Sequence, residues 1–307
     1  MSAGLSSGSA SLAAGTAARR AEALGGRLPP LLVAAERVAA TVAQGVHGRR
    51  RVGQGDSFWQ YRPFLPGDSA GSIDWRQSAR SDRAFVRETE WEAAQSVYLW
   101  RDGGASMRWR SREVATDKID RAGLLLLALA ALLLRGGERV RLLGGDLRAA
   151  GGGAAGGLER MAAQLDRMAA GDGLPPEAPL PRHSRVVLIG DMLAPLGALQ
   201  AAIGRLAGIP VTGHVLQVLD PAEASLPYAG RVRFHDVGDS GTPVQALIPR
   251  VEAVRGDYVA RLAEQQHGLS AICRAAGWGF AVHQTDHPAE AALLGLYAAL
   301  SPLPGRR

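Results

Sequence analysis

The chain has 307 residues, of which 47% are apolar and 21% charged, and this composition allows a sizeable hydrophobic core. Its single cysteine, Cys273, excludes a disulfide framework and a thiolate metal cluster, and fits a reducing, cytoplasmic compartment. The formal net charge of +6 comes almost entirely from arginine, because Lys118 is the only lysine. An arginine excess raises the expectation of acidic partners, although the arginines form no long basic run.

The first third of the chain differs in pattern from the rest. Residues 1–18 are rich in Ser, Ala and Gly, predict disorder and lack the features of a signal peptide. Residues 21–44 predict one or two helices, with Pro29-Pro30 as a start signal. Residues 45–90 are dense in Arg, Asp, Gly and aromatics, which favours strands and loops.

From residue 96 onward, strand and helix patterns alternate. Strands are predicted at 96–100, 139–143, 185–189, 211–219, 232–237 and 279–285, and helices at 116–134, 158–168, 196–206, 251–276 and 289–300. This alternation predicts an α/β domain over 96–302, with a mostly parallel sheet flanked by helices, after an N-terminal helical and β extension over 19–95. No stretch reaches the roughly 20 apolar residues of a membrane span. Ligands of such folds bind beyond the carboxyl ends of the strands.

The loop after the first of these strands contains candidate metal ligands. Asp102 and Ser106 resemble the Asp-x-Ser-x-Ser pattern of a metal-ion-dependent adhesion site, whose oxygens hold Mg²⁺. Gly104 replaces the middle serine, and residues 144–160 contain no Ser or Thr to act as a further ligand. Asp191 supplies the last acid. We predict a depleted Mg²⁺ site at Asp102, Ser106 and Asp191; alternatively, the two acids only hold their loops by accepting backbone N–H bonds.

Charged and aromatic side chains crowd residues 53–88. Arginine pairs bidentately with carboxylates and stacks on aromatic rings, so this segment is either a surface that recognises a partner or an internal network of ion pairs. The residues concerned are Arg62, Pro66, Gly67, Asp68, Asp74, Trp75, Arg76, Arg80, Arg87 and Glu88.

No pattern in the sequence predicts a catalytic centre. The sequence contains no Walker A loop, no H-E-x-x-H and no G-x-S-x-G motif. His283 and His287 fall at a predicted strand end, where their spacing does not place them on one face as zinc ligands. Cys273 is interpreted as a small core residue. We therefore predict a protein that is not an enzyme.

Several blocks of the sequence are similar to a known bacterial family, the domain of unknown function 58, over roughly residues 30–300. They are Tyr61-Arg62-Pro63-Phe64-Leu65-Pro66-Gly67-Asp68, Ile73-Asp74-Trp75-Arg76, Arg87-Glu88, Asp102 with Ser106-Met107, Gly190-Asp191 and Asp220-Pro221-Ala222-Glu223. The resemblance implies a von Willebrand factor A-like (Rossmann-like) domain and a MoxR-type AAA+ ATPase as partner, acting together in chaperone-like maturation or remodelling of other proteins. It also implies that Asp102, Ser106 and Asp191 hold Mg²⁺ while a partner's carboxylate completes the shell.

Three functions are compared on this basis. The preferred one is a cytoplasmic adaptor or binding protein of the AAA+ ATPase, without turnover of its own. The second is a metal-dependent hydrolase that uses Asp102 and Asp191, with activity lost on Asp102→Ala. The third is nucleic-acid binding through the arginine excess, with affinity that falls steeply with salt. Acids among the arginines of residues 62–92 argue against a continuous basic stripe.

Overall fold

The computed structural model describes residues 28–45, 52–65, 68–69, 71, 73–80, 83–90, 95–145, 154–168, 173–235 and 245–300. They divide into two compact units, one made of the described residues of 28–42 and 96–300 and the other of those of 43–95. The stretch 1–18, for which disorder is predicted, lies outside the described residues.

The strands and helices predicted from residue 96 onward are all present, with ends displaced by a few residues. The strands are β1 (Val52–Pro63), β2 (Phe85–Glu90), β3 (Ser96–Arg101), β4 (Arg139–Leu142), β5 (Arg185–Gly190), β6 (Thr212–Leu219), β7 (Val232–His235), β8 (Gln245–Ile248) and β9 (Gly279–Gln284). The helices are α1 (Leu28–Gly45), α2 (Trp75–Ser78), α3 (Lys118–Arg135), α4 (Ala154–Arg167), α5 (Leu196–Ala207), α6 (Pro221–Ser225), α7 (Val251–Ala275) and α8 (Ala289–Leu300), with a 3-10 turn at Ala105–Arg108.

The central sheet has five strands in the order β4-β3-β5-β6-β9. Every neighbouring pair in it is parallel, which confirms the α/β prediction. The chain runs from β3 outward to β4 and then returns to the other side of β3 to form β5, β6 and β9. The strand order therefore reverses between β3 and β5, and in open α/β sheets the crevice at such a switch point is the usual ligand site.

Helices cover the two faces of this sheet. Tyr98, Trp100 and Leu188 form one buried cluster with residues of α5 and α7. Because side chains alternate along a strand, Leu99 and Ile189 point to the other face. There α3 contacts β3, β4, β5 and β6 and packs against α4 and α8, which explains why it is apolar on most sides. No described helix has the length and apolarity needed to cross a membrane.

One helix, α1, represents the described part of the predicted helical region 21–44. It begins at Leu28, so that Pro29 and Pro30 fall in its first turn, where the missing N–H groups would have no helical acceptor. Its residues Ala35, Val38, Ala39 and Val42 recur at helical spacing and are buried.

The smaller unit is built on the antiparallel pair β1–β2. Its strands and loops agree with the prediction for residues 45–90, but the helical turn α2 was not predicted. The carboxylate of Asp74 accepts a hydrogen bond from the N–H of Gln77 at 2.9 Å, which caps α2. The Ser78 hydroxyl accepts from the N–H of Phe85 at 2.8 Å and so ties α2 to β2.

Candidate functional site

Buried acids follow three neighbouring strands at the carboxyl edge of the parallel sheet. Asp102 follows β3, Asp191 follows β5 and Asp220 follows β6, and their exposed fractions are 0%, 2% and 0%. A buried carboxylate is costly unless hydrogen bonds or an opposite charge compensate it. Since this edge also contains the switch point of the strand order, we take it as the candidate site.

The only lysine of the chain bonds to Asp191 and to a further acid, Glu223. Lys118 is the first residue of α3, and its side chain is fully buried. Its ammonium donates to Asp191 Oδ2 at 3.1 Å and to Glu223 Oε1, in α6, at 2.6 Å. The two ion pairs connect α3 to the loop after β5 and to the helix after β6. We call Asp102, Lys118, Asp191 and Glu223 the acid–lysine cluster.

Asp102 is the least compensated member of this cluster. Its Oδ1 accepts from the N–H of Gly104 at 2.7 Å, but its buried Oδ2 has no hydrogen-bond partner among the described residues. Burial raises the pKa of Asp102 to about 6, and the charge of Asp191 adds to the rise, while the Gly104 N–H and Lys118 oppose it. A Cβ at Gly190 would lie 2.6 Å from the Cβ of Asp102, so this close approach requires glycine.

Helix α6 presents Glu223 to Lys118. Asp220 Oδ1 accepts from the N–H of Ala222 at 2.8 Å, and Glu223 Oε2 accepts from the N–H of Asp220 at 3.1 Å. This is a capping box, and it leaves Glu223 Oε1 for the lysine. Burial raises the pKa of Glu223, with the Lys118 charge acting in the opposite direction. The hydroxyl of Tyr258 donates to the Glu223 carbonyl at 2.8 Å and fixes α6 from the side of α7.

Buried side chains also form hydrogen bonds with the backbone of the loop after β5. Gln217 donates through Nε2 to the carbonyl of Asp191 at 2.8 Å, and Gln266 donates to Gln217 Oε1 at 3.1 Å. Asp191 Oδ1 accepts from the N–H of Leu193 at 3.3 Å. The second carboxylate oxygen of Asp220 accepts from the N–H of Ser111 at 2.8 Å. The loops at this edge are therefore bonded to one another through buried polar groups.

The predicted metal ligands fit a divalent ion poorly. Asp102 and Asp191 do meet at one edge, since the N–H of Asp102 donates to the carbonyl of Ile189 at 2.9 Å, and Ser106 lies half-buried in the 3-10 turn. Asp191, however, already accepts from an ammonium. Within the described ranges, no group of three or more His, Cys, Asp and Glu side chains is arranged to hold a metal ion.

Exposed side chains lie in the loops that carry the cluster. Arg108 and Arg112 are exposed in the segment between β3 and α3, and Leu193, two residues after Asp191, is 45% exposed. Glu113 is exposed beside Arg112, so this edge combines a buried ionic cluster with a partly apolar surface on which the exposed arginines of the β3–α3 segment outnumber its exposed acid.

Part of the predicted 53–88 motif forms internal bonds. The Arg62 guanidinium donates to both carboxylate oxygens of Asp68, at 2.6 and 2.7 Å. Asp68 also accepts from the N–H of Leu65 at 2.8 Å. The hydrogen bond from Arg62, followed by that from Leu65, lowers the pKa of Asp68 to about 2. With Asp74 capping α2, these bonds support the interpretation as an internal network.

Other residues of the motif face solvent. Trp75 is 69% exposed, and Arg76 and Arg80 are exposed as well. Arg87 and Glu88 pair with Tyr61 and Gln60 across the β1–β2 ladder, and only their backbone is described. Pro66 and Gly67 lie outside the described residues. The interpretation as a partner surface thus stays a prediction for Trp75, Arg76 and Arg80.

Neither His283 nor Cys273 offers a reactive group. His283 is buried on β9, and burial, followed by the charges of Arg121 and His287, lowers its pKa to about 4. Cys273 is fully buried in α7, and burial raises the pKa of its thiol to about 11. His287 lies beyond the strand end, as the sequence predicts.

The sequence did not predict Lys118 or Glu223 as site residues. Two signals for them were present. A single lysine opens a helix that is otherwise almost entirely apolar, and such a buried charge needs partners. The run Asp220-Pro221-Ala222-Glu223 has the capping-box pattern, which fixes where the Glu223 carboxylate lies.

Comparison with known proteins gives a family and distant structural likenesses. Conserved hypothetical protein BatB from Bacteroides thetaiotaomicron matches with 14% identity and a TM-score of 0.34, over 67% of this chain and 98% of that one. An aerotolerance-related membrane protein from Bacteroides fragilis NCTC 9343 matches with 15% identity and a TM-score of 0.36, over 67% and 98%. An uncharacterized membrane spanning protein from Vibrio fischeri matches with 14% identity and a TM-score of 0.18, over 68% of this chain and 100% of that one.

No curated protein matches the chain. The family model described as "Protein of unknown function DUF58" matches residues 60–268, which is more than half of the chain. The chain therefore belongs to the DUF58 family.

Proposed function

We propose that this chain is a non-enzymatic adaptor with a von Willebrand factor A-like domain. In this proposal it works in the cytoplasm with a MoxR-type AAA+ ATPase in the chaperone-like maturation or remodelling of other proteins. Membership of the DUF58 family supports the choice of partner class. The position of the buried acids at a switch point of a parallel sheet supports the von Willebrand factor A-like assignment, because that is where such folds bind ligands.

One observation carries the choice of binding over catalysis. The charged groups at the carboxyl edge bond mainly to one another and to the backbone, and the Lys118 and Asp191 side chains are 0% and 3% exposed. Groups held in this way fix the loops but do not reach a substrate. The exposed side chains of the same loops, Arg108, Arg112 and Leu193, suit contact with an acidic and partly apolar protein surface.

The test is binding of the purified chain to the MoxR-type ATPase encoded in the same genome, measured by titration calorimetry. We expect the double variant Arg108→Glu, Arg112→Glu to bind roughly tenfold or more weakly, because reversed charges at an interface rim repel an acidic partner. Arg182→Glu is the matched control, since Arg182 is exposed just before β5, at the amino edge of the sheet. Equal affinity of the double variant and the control would contradict the proposed surface, and absence of a complex would contradict the partner.

A hydrolase is the second candidate, and it is favoured by Asp102, whose buried Oδ2 has no hydrogen-bond partner among the described residues. A buried carboxyl with a raised pKa is a feature of catalytic acids and bases. This alternative requires a metal-dependent turnover that Asp102→Ala abolishes. Turnover with that dependence would replace the adaptor proposal.

A further inference from the structure

The position beside Asp191 that a divalent ion would need is already taken by a positive charge. The Lys118 ammonium lies 3.1 Å from Asp191 Oδ2 and 2.6 Å from Glu223 Oε1, and its side chain has no exposed surface. Charges this close interact strongly in a buried environment of low dielectric constant. An ammonium and a divalent ion therefore exclude each other at Asp191.

The surrounding groups are nonetheless those that a hard cation prefers. Asp191 and Glu223 each direct a carboxylate oxygen at the ammonium, and Asp102 has a buried Oδ2 without a hydrogen-bond partner among the described residues. Carboxylate oxygens, together with retained waters, are the usual ligands of Mg²⁺ and Mn²⁺. These carboxylates follow the neighbouring strands β3, β5 and β6 along the chain, and Lys118 bonds to two of them, Asp191 and Glu223.

We propose that Lys118 is the resident cation of this edge, standing in for a divalent ion at Asp191 and Glu223, and that removal of its ammonium creates a divalent-cation site. Contacts with a partner at this edge are then independent of metal, because no open coordination position exists to receive a partner's carboxylate. The inference concerns the chain's own residues and does not require the adaptor function.

The first test uses the wild-type chain and Mn²⁺ as the probe. Free Mn²⁺ is followed by electron paramagnetic resonance during a titration with the protein. We expect no saturable binding at millimolar Mn²⁺. Saturable binding that is lost in Asp191→Asn would overturn the proposal, because the ion would then bind beside the lysine.

The second test removes the ammonium. Lys118→Ala leaves Asp191 and Glu223 uncompensated, and we expect its melting temperature to fall by about 10 °C without metal. Millimolar Mn²⁺ or Mg²⁺ should restore most of this loss in a saturable manner, since an ion that binds only the folded state stabilises it. Lys118→Met should lose stability without recovery, because its side chain fills the space an ion would use.

Two variants separate this effect from general stabilisation by metal. Lys118→Ala with Asp191→Asn should not respond to Mn²⁺. Arg121 is another partly buried cation at the start of α3, and its guanidinium donates to the carbonyls of Thr285 and His287 at 2.7 Å. The variant Arg121→Ala should therefore lose stability, and Mn²⁺ should not restore it. Failure of Lys118→Ala to recover, or to fold even with Mn²⁺ present, would overturn the proposal.

Discussion

At the scale of one residue, His283 shows how burial, together with nearby charges, changes a proton equilibrium. Its ring lies at the carboxyl end of β9, its Nε2 has no partner among the described residues, and the charges acting on it are those of Arg121, His287 and Asp286. Burial lowers its pKa to about 4, so the folded protein resists a proton that the unfolded chain accepts near pH 6.5. Its contribution to stability is therefore complete above pH 6.5 and is lost as the pH falls toward 4.

We predict that the free energy of unfolding falls by about 1 to 2 kcal/mol between pH 7 and pH 5 because of His283. Asp102 acts in the opposite direction, since its raised pKa favours the protonated folded state at low pH. The comparison is therefore between variants: urea unfolding at both pH values should show a smaller loss for His283→Gln than for the wild type. The exposed His235 provides the control, and equal losses in wild type and His283→Gln would refute the assignment.

At the scale of elements, strand β6 depends on a glycine. Gly213 pairs with Val186 of β5, and a Cβ there would lie 2.0 Å from the ring of Trp278, which is buried in the core between α7 and β9. An indole ring is rigid, so it cannot move aside as a flexible side chain would. The absence of a side chain at Gly213 is thus part of how β6 and Trp278 pack together.

We predict that Gly213→Ala lowers the free energy of unfolding by about 1 to 3 kcal/mol through overpacking. Gly204→Ala is the matched control, because Gly204 is exposed in α5 and a Cβ there would meet nothing within 4 Å. It should raise stability by about 0.5 to 1 kcal/mol, since alanine reduces the conformational freedom of the unfolded chain. Chemical unfolding of both variants checks the contrast in sign.

The elements of the parallel sheet could be predicted from sequence because apolar periodicity is a local property. The strands around Val97 and Val187 are short apolar runs, and α3 is a long apolar run. Each of these elements can therefore be predicted from its own stretch of sequence. The same pattern predicted the loops that carry Asp102 and Asp191, because each loop comes directly after a predicted strand. The pairing of Lys118 with Glu223 did not, because it joins positions 105 residues apart and depends on how α6 turns after β6. The turn α2 was missed because a single cap, Asp74, produces it.

At the scale of the whole molecule, the described residues divide into two units, and each unit contains ion pairs of its own. The bidentate pair Arg62–Asp68 lies within residues 43–95, and the acid–lysine cluster lies within the larger unit. We expect the loss of a contact to act first in the unit that contains it. Arg62→Met should therefore increase amide hydrogen exchange in β1 and β2 and leave β3, β5 and β6 unchanged.

Lys118→Ala supplies the reciprocal measurement. We expect faster amide hydrogen exchange in α3 and α6, and unchanged exchange in β1 and β2. Mass spectrometry of exchanged peptides resolves these segments. Exchange that rises throughout the chain in either variant would show that the two units unfold together, and would contradict the prediction.

The burial of Lys118 also gives the protein an unusual chemistry toward amine reagents. Because the sequence has one lysine and its side chain is fully buried, an N-hydroxysuccinimide ester added to the folded protein finds no exposed lysine to acylate. Lysine-directed cross-linkers will accordingly underestimate the contacts of this protein in any survey of complexes, and reagents for carboxylates or arginine are the better choice. Conversely, acylation at Lys118 reports that α3 has separated from its acids, so a mass shift on the peptide that contains Lys118 measures opening of the site.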